Sequence, residues 1–309
     1  MRKNFLRKII PLAALVALVL AAPRPAFAQD MNTPRALGMG GALRGAATGA
    51  SAIFLNPAGM ALIRAYSVEA FYDFSVRQNG HMAHSSVVDS SASKWISAGL
   101  YYNLIVMRPD VYDRSRQKEV SLNIDGHETG IALAVSLGQR FSLGTTLKYQ
   151  YYRAKAKILQ DGEETDRTVD KINNVGVDVG AVVVIMQGLT LGVTGMNLVP
   201  QKSIHSPMQL GMGLAYSYKT YFTLAFDVLL DFTSKDRVIV DYHGGVEAFF
   251  AKKFTVRAGA YYHALTDGAF VTAGFGYVNP KAAVDLFLAQ QADGGKETRI
   301  GFAVRMFVR

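Results

Sequence analysis

The feature of this sequence that most limits its fold is an alternation of apolar and polar residues that recurs along most of the chain. In "YFTLAFDVLLDF", apolar residues occupy every second position from Phe222 to Phe232, with Thr223, Ala225 and Asp227 between them. Because successive side chains of a β-strand point to opposite faces, this period of two predicts strands rather than helices. The same pattern predicts fourteen strands, near residues 65–77, 80–90, 94–106, 125–137, 140–155, 173–186, 189–198, 207–218, 220–232, 237–249, 253–263, 269–278, 281–291 and 297–308.

The links between these strands are long on one side of the predicted sheet and short on the other. "MRPDVYDRSRQKEVSLNI" and "KILQDGEETDRTVDKI" are long, whereas "GQR", "YKT", "AKK" and "NPK" are short. Outer-membrane barrels combine long extracellular loops with tight periplasmic turns, and each of their strands needs about 9–11 residues to cross the bilayer. A soluble β-sandwich could show the same alternation, but the loop asymmetry favours the membrane. We therefore predict an all-β fold, a 14-stranded antiparallel transmembrane β-barrel.

The first residues have the features of an export signal. Four cations precede an apolar run from Ile9 to Ala22, and an Ala-x-Ala cleavage motif ends at Ala28. This pattern predicts a signal peptide over residues 1–28, cleaved after Ala28, and with the barrel it predicts the outer membrane of a Gram-negative bacterium. The signal holds five cations and no acid, so its removal lowers the net charge from +9 to +4. The basic balance therefore does not indicate nucleic acid as a partner.

The two faces of the predicted strands differ in chemistry. One face is nearly all apolar, as at Ile131, Leu133 and Val135, and is expected to contact outer-membrane lipids. Tyrosines near the strand ends are expected to form interfacial girdles: Tyr101, Tyr102, Tyr149, Tyr151, Tyr152, Tyr261 and Tyr262. The other face carries charges that are expected to line the lumen: Glu69, Asp73, Asp178, Asp227, Asp241, Glu247, Arg257, Asp285, Arg299 and Arg305.

These lumen charges have two interpretations. They can form a polar translocation path, or they can form ion pairs that satisfy the inner wall, since an unpaired buried charge is costly. Where the first and last strands meet, we expect Arg305 to pair with Glu69 or Asp73.

A segment rich in Gly and Ala, residues 29–64, precedes the first predicted strand. A cylinder of fourteen tilted strands has a backbone radius of about 14 Å. Side chains alone cannot fill that space, so the lumen needs a plug. Small residues let a backbone pack closely against the wall, and we predict that this segment is a hatch inside the lumen. Residues 65–309 form the barrel.

The hatch ends in Asn56, Pro57, Ala58 and Gly59, which are its candidate functional residues. Pro57 fixes a bend, and Asn56 before it is biased to extended backbone. We expect the Asn56 amide to reach polar groups of the inner wall such as Asp178 or Arg257.

Several stretches resemble one family of outer-membrane proteins. "ALGMGGA" and "AIFLNPAGMALI", followed by "VGVDVGAVVVIMQGLTLGVTGMNLV", "GGVEAFFAKKFTVRAGAY" and "TAGFGYV", are similar to the FadL/TodX hydrophobic-compound transporters and to the related PorV-like proteins. The later stretches are closest to the PorV-like branch. The resemblance implies fourteen strands and a periplasm-facing hatch in which Asn56, Pro57 and Ala58 match the family's Asn-Pro-Ala. It also implies capture of hydrophobic molecules outside and their release past the hatch. The outward loops look short for building an outer capture groove.

Two functions therefore stay open. The first is hatch-gated passive uptake or binding of a small hydrophobic compound. The second is a PorV-like scaffold that transports nothing and binds a secreted or envelope protein. An enzyme is not expected, because no Ser lies in a Gly-x-Ser-x-Gly elbow. No cofactor or metal is expected either: the chain has no Cys, and His81 and His84 would point to opposite faces of a strand.

Overall fold

The structure, a computed structural model, describes residues 32–113, 118–160, 163–199, 206–295 and 297–308. The predicted signal peptide and its cleavage site lie outside the described residues. Within these ranges the chain begins with α1 Pro34–Gly38, α2 Ala50–Leu55 and a 3-10 helix, Pro57–Leu62. Fifteen strands follow: β1 Tyr66–Ser75, β2 Gly80–Asp89, β3 Ile96–Met107, β4 Asp110–Asp113, β5 Lys118–Leu137, β6 Phe141–Gln160, β7 Glu163–Met186, β8 Leu189–Met196, β9 Gln209–Tyr218, β10 Phe222–Asp231, β11 Ile239–Phe250, β12 Phe254–His263, β13 Gly268–Val278, β14 Ala282–Gln291 and β15 Thr298–Val308.

Fourteen of these strands form one closed antiparallel wall. The short β4 pairs with β5 outside the main ladder, and β3 pairs directly with β5. The wall closes where β1 pairs with β15, with Glu69 opposite Arg305. The predicted 14-stranded antiparallel barrel is confirmed. We call the end of the barrel that holds Tyr66, Val308 and the short connections the turn side, and the opposite end the loop side.

Strands β5, β6 and β7 are longer than the sequence pattern predicted. Residues 118–124 and 157–172 were expected in loops, but most of them continue the strands on the loop side, as shown by the pairing of Leu122 with Ala156 and of Lys155 with Thr168. These stretches are rich in polar residues, and their few apolar residues do not form the long alternation of a membrane-spanning strand. A hairpin that leaves the bilayer needs only its backbone hydrogen bonds, so hydrophobic alternation does not reveal it.

The outer surface of the wall is apolar and exposed. Leu100, Ile131 and Leu147 are each more than half exposed, at 54%, 57% and 56%. A continuous exposed band of such residues requires a lipid environment. None of the helices among the described residues is long and apolar enough to cross a membrane.

The tyrosines near the strand ends do not all belong to girdles. Tyr102 and Tyr149 face outward, but Tyr101 and Tyr152 are buried in the lumen. Tyr261 also points inward, where it stacks on His243. The girdle prediction is wrong for these three because neighbouring residues of a strand face opposite ways, so the pairs 101/102, 151/152 and 261/262 cannot share a surface.

Residues before β1 fill the lumen. Helix α1 packs against β12 to β15, and the 3-10 helix packs against β3 and β5 to β7, so the segment crosses the barrel from one wall to the other. Its apolar residues form a buried cluster with small wall residues; Met39, Leu43 and Ile53 are at most 2% exposed. Residues 32–64, the described part of the N-terminal segment predicted to lie inside the barrel, therefore do so, and the name hatch refers to them below.

Candidate functional site: the lumen and its hatch

The hatch is attached to the wall first through Arg35 in α1. The Arg35 guanidinium donates to both Glu247 carboxylate oxygens, at 2.9 and 3.2 Å, and to the Thr48 hydroxyl at 3.0 Å. Burial alone would lower the pKa of Arg35, but the Glu247 carboxylate raises it above its ordinary value. Arg35 therefore stays charged, and it neutralises a fully buried carboxylate of the wall.

The same carboxylate begins a row of alternating charges along the wall. Arg257 Nε donates to Glu247 at 2.6 Å, and Arg257 Nη1 donates to Asp285 at 2.7 Å. Asp285 lies 3.9 Å from Arg305, whose Nε donates to Glu69 at 2.6 Å. We call this row the charge ladder: Arg35, Glu247, Arg257, Asp285, Arg305 and Glu69.

The charge ladder includes the seam where the barrel closes. Arg305 on β15 pairs with Glu69 on β1, which is one of the two partners expected from the sequence. The other expected partner, Asp73, instead binds Arg299 of the same strand β15. Two buried ion pairs therefore join β1 and β15.

A second attachment holds the middle of the hatch. The Asp227 carboxylate on β10 accepts hydrogen bonds from the backbone N–H groups of Leu43 and Arg44, at 3.0 and 2.9 Å, and from the Arg44 guanidinium at 3.1 Å. Asp227 is fully buried. The Asp227 carboxylate thus holds the hatch backbone in place and also neutralises the Arg44 side chain.

The third attachment is at Asn56, but its partners differ from those expected. The Asn56 amide nitrogen donates to the Ala181 carbonyl of β7 at 3.0 Å and to the Arg44 carbonyl at 3.2 Å. Its side-chain oxygen accepts from the Ala58 N–H at 3.2 Å and so caps the 3-10 helix. The expected contacts with Asp178 and Arg257 are wrong, because a backbone carbonyl of the adjacent strand satisfies the amide.

Glycines of the wall make room for the hatch backbone. A Cβ on Gly180 would collide with the Asn56 side-chain oxygen, and a Cβ on Gly144 would collide with Ala58. Pro57 and Gly59 are buried beside them. At these positions the wall strands need Gly because of this close approach.

The remaining predicted lumen charges are also buried in the barrel interior. Asp178 accepts from Lys148 Nζ at 2.8 Å and from the Asn197 N–H at 2.7 Å. Asp241 accepts from the Ala264 N–H at 2.7 Å and lies 3.2 Å from His263 Nδ1. Asp178 therefore joins β6 and β7 to the loop-side end of β8, and Asp241 joins β11 to the residues at the loop-side end of β12.

On the loop side of the hatch, the inner wall is lined by apolar side chains. They come from eight adjacent strands, β14, β15, β1 to β3 and β5 to β7, and they include one hatch residue. We call this set the apolar lining: Leu37, Phe71, Met82, Ile105, Met107, Ile124, Tyr152, Ala154, Ile172, Phe287, Ala289 and Ala303. The sequence predicted a polar inner face, and these apolar residues, which share that face with buried polar residues such as Asn103, Glu128 and Gln150, were missed.

A cavity of about 530 Å³ lies on the turn side of the hatch. The hatch contributes Thr48, Leu62 and Ile63 to it, and the charge ladder contributes Arg35 and Arg257 among others. The hatch thus lies between a buried apolar cluster on the loop side and a charged cavity on the turn side.

Two cations that matter here, Arg35 and Arg44, were not among the sequence candidates. Both lie in the Gly/Ala-rich segment, and alternation carries no information about residues outside strands. The sequence nevertheless contained a cue for both residues. They are cations in a segment predicted to be enclosed, and an enclosed cation needs a carboxylate.

The fold occurs in several solved structures. The Pseudomonas putida toluene transporter TodX superposes with a TM-score of 0.68 at 11% identity, over 91% of this chain and 98% of that chain. A Pseudomonas aeruginosa FadL homologue gives 0.66 at 13% identity, over 91% and 99%. The CymD monoaromatic hydrocarbon channel gives 0.65 at 14% identity, over 91% and 98%. The chain therefore has the fold of FadL-like outer-membrane barrels, as its sequence resemblance indicated.

Sequence comparison gives the family. No curated protein matches the chain. The family model described as "F plasmid transfer operon, TraF, protein" matches residues 39–228, which begin directly after α1, extend through most of β10 and make up more than half of the chain. The chain belongs to this TraF family.

Proposed function

We propose that this protein is an outer-membrane barrel that binds small hydrophobic compounds in its loop-side lumen and lets them cross passively, with residues 29–64 as the gate. The observation that carries this proposal is the apolar lining, which covers eight adjacent strands above a hatch. In this proposal residues 1–28 are the cleaved signal, residues 65–309 form the wall, and the short turns face the periplasm.

The similar structures support the same class of cargo. They include a toluene transporter and a monoaromatic hydrocarbon channel. An apolar compartment takes up such molecules through the hydrophobic effect, at about 25 cal/mol for each Å² of apolar surface removed from water. A closed hatch beneath it would hold the compound until the hatch moves.

Narrowing the apolar lining tests the proposal. Ala289→Met and Ala303→Met would add bulk at two buried positions of the lumen without adding charge. In cells that lack other hydrocarbon channels, we expect uptake of radiolabelled toluene to fall severalfold with this double variant. The matched control is Ala98→Met, on the outer face of β3, which leaves the lumen unchanged. Heat-modifiable migration on a gel confirms that each variant folds, and equal uptake by all folded variants would contradict the proposal.

A second candidate is a scaffold that binds a secreted or envelope protein and transports nothing. The observation that favours it is the number of buried attachments of the hatch, through Arg35, Arg44 and Asn56. They would hold the hatch closed. In this case toluene uptake by the wild type would equal that of cells without the barrel, and photo-crosslinkers at the β6–β7 tip would capture one defined protein.

A further inference from the structure

The outward-facing residues of β5, β6 and β7 form cross-strand triplets, which we call rungs. The chemistry of these rungs changes toward the loop side. One rung is apolar: Ile131, Leu147 and Val177 lie opposite one another. Two rungs closer to the loop side, the residues are His127, Tyr151 and Asn173. The next rung consists of Asp125, Arg153 and Lys171. The wall therefore passes from apolar through aromatic to charged in a few residues.

The height of this charged rung matches the lipid headgroups. Phe141 to Tyr151 covers ten residue steps of β6, about 25 Å along the barrel axis at ~3.3 Å per residue and a tilt of ~40°. That is close to the height of the apolar band of outer-membrane barrels, about 25 Å. Arg153 is the next outward-facing residue beyond it.

Girdle contacts mark the boundary just below. The Tyr102 hydroxyl lies 2.6 Å from His127 Nδ1, and the Tyr149 hydroxyl donates to Asn173 at 2.9 Å. Both pairs are exposed on the outer face. Aromatic residues with polar tips occupy the interface between hydrocarbon and headgroups, which places Arg153 and Lys171 among the headgroups.

The charged rung contains two cations and one acid. Arg153 and Lys171 are direct cross-strand partners, and like charges in that position repel each other. The nearest acid on the other side, Asp125, binds Arg108 at 2.6 Å. Arg153 Nε is buried and makes no hydrogen bond to any residue that the structure describes.

Lys155, on the same face of β6, is a further cation of this outer face. The described side chains of this patch thus include four cations, Arg108, Arg153, Lys155 and Lys171, and one acid, Asp125. Among the described side chains of the patch, cations therefore outnumber acids at the height where lipids carry phosphates.

From these observations we infer that the outer face of β5 to β7 binds a phosphorylated lipid of the outer leaflet, with Arg153 and Lys171 on its phosphate. A guanidinium fork binds phosphate oxygens in pairs. The acyl chains would lie on the apolar rungs of Ile131 and Leu147 directly below. A free phosphate ion would gain nothing from those rungs, so the site belongs to a lipid.

The test uses the full-length barrel in detergent, titrated with bis-phosphorylated lipid A and followed by native mass spectrometry. The double variant Arg153→Gln/Lys171→Gln should bind this lipid roughly thirtyfold more weakly, the equivalent of about 2 kcal/mol for two surface cations. The matched control is Lys94→Gln/Lys253→Gln, two exposed cations of the turn side, which should bind like the wild type. The exposed single variant Lys171→Gln, expected to lose about fivefold, repeats the test if the double variant does not fold.

Two further arms identify the source of the phosphate. Dephosphorylated lipid A should bind the wild type as weakly as lipid A binds the double variant, and millimolar inorganic phosphate should not displace bound lipid A. The inference is overturned if the folded charge variants bind lipid A like the wild type, if dephosphorylated lipid A binds equally well, or if inorganic phosphate displaces the lipid.

Discussion

At the scale of single residues, this barrel keeps its buried charges in pairs that join separate parts of the chain. Glu247 forms one ion pair with Arg35 of the hatch and another with Arg257 of the neighbouring strand. Asp227 takes a hatch cation together with two hatch backbone N–H groups. Such pairs add little net stability compared with apolar residues, but removing one partner leaves a desolvated charge. Their main effect is therefore to specify which segments lie side by side.

The seam between β1 and β15 gives the clearest stability prediction. Arg305→Ala leaves Glu69, which is 1% exposed, without its ion-pair partner, and we expect the unfolding free energy to fall by about 3 kcal/mol. Urea titration followed by heat-modifiable gel migration measures this change. The double variant Glu69→Gln/Arg305→Met should be less destabilised than the single one. Lys281→Ala, on an exposed turn, should change stability by less than about 0.5 kcal/mol.

Asp227 gives a prediction about the hatch alone. Asp227→Asn keeps an acceptor for the backbone N–H groups but removes the charge that pairs with Arg44. We expect the wall to fold normally and the hatch to open more often, so that a planar bilayer records brief conductance steps absent from the wild type. The exposed Asp236→Asn serves as the control, and silent traces from a folded Asp227→Asn barrel would contradict this role.

At the scale of elements, the strands could be predicted because alternation reports directly which side chains face lipid and which face the lumen. Both strands at the seam were placed correctly, so the Arg305–Glu69 pair could be anticipated from chain order. The loop-side parts of β5 to β7 could not, because outside the bilayer no burial pattern is imposed on a hairpin. The path of the hatch could not be predicted from the sequence either, because the partners of Asn56 depend on backbone positions in β7 and not on any periodicity.

The hatch as an element is expected to be separable from the wall. Deletion of Leu37 to Ala58 removes no residue that pairs in the wall ladder. We expect the shortened chain to fold and to conduct at least severalfold more than the wild type in a planar bilayer. A folded deletion variant that conducts no more than the intact protein would show that this segment does not block the lumen.

At the scale of the whole molecule, the chain's lack of Cys allows the proposed orientation to be mapped by labelling. Cys introduced at Asp113 or Glu163, at the loop-side ends of β4 and β7, should react with an impermeant maleimide on intact cells. Cys introduced at Lys94 or Lys281, in turn-side connections, should react only after the outer membrane is permeabilised. The reverse pattern would mean that the barrel is inserted the other way round.

The closure of β1 against β15 also determines when the molecule can be finished. Glu69 and Arg305 are 236 positions apart in the sequence, so the contact that completes the cylinder is among the most non-local in the protein, and such contacts form slowly. Until β15 arrives, β1 is an open edge available to any other strand, and the hatch has a wall on only part of its circumference. Throughout this interval the edge of β1 has to be kept from pairing with strands of other chains, while the lumen stays free for the hatch.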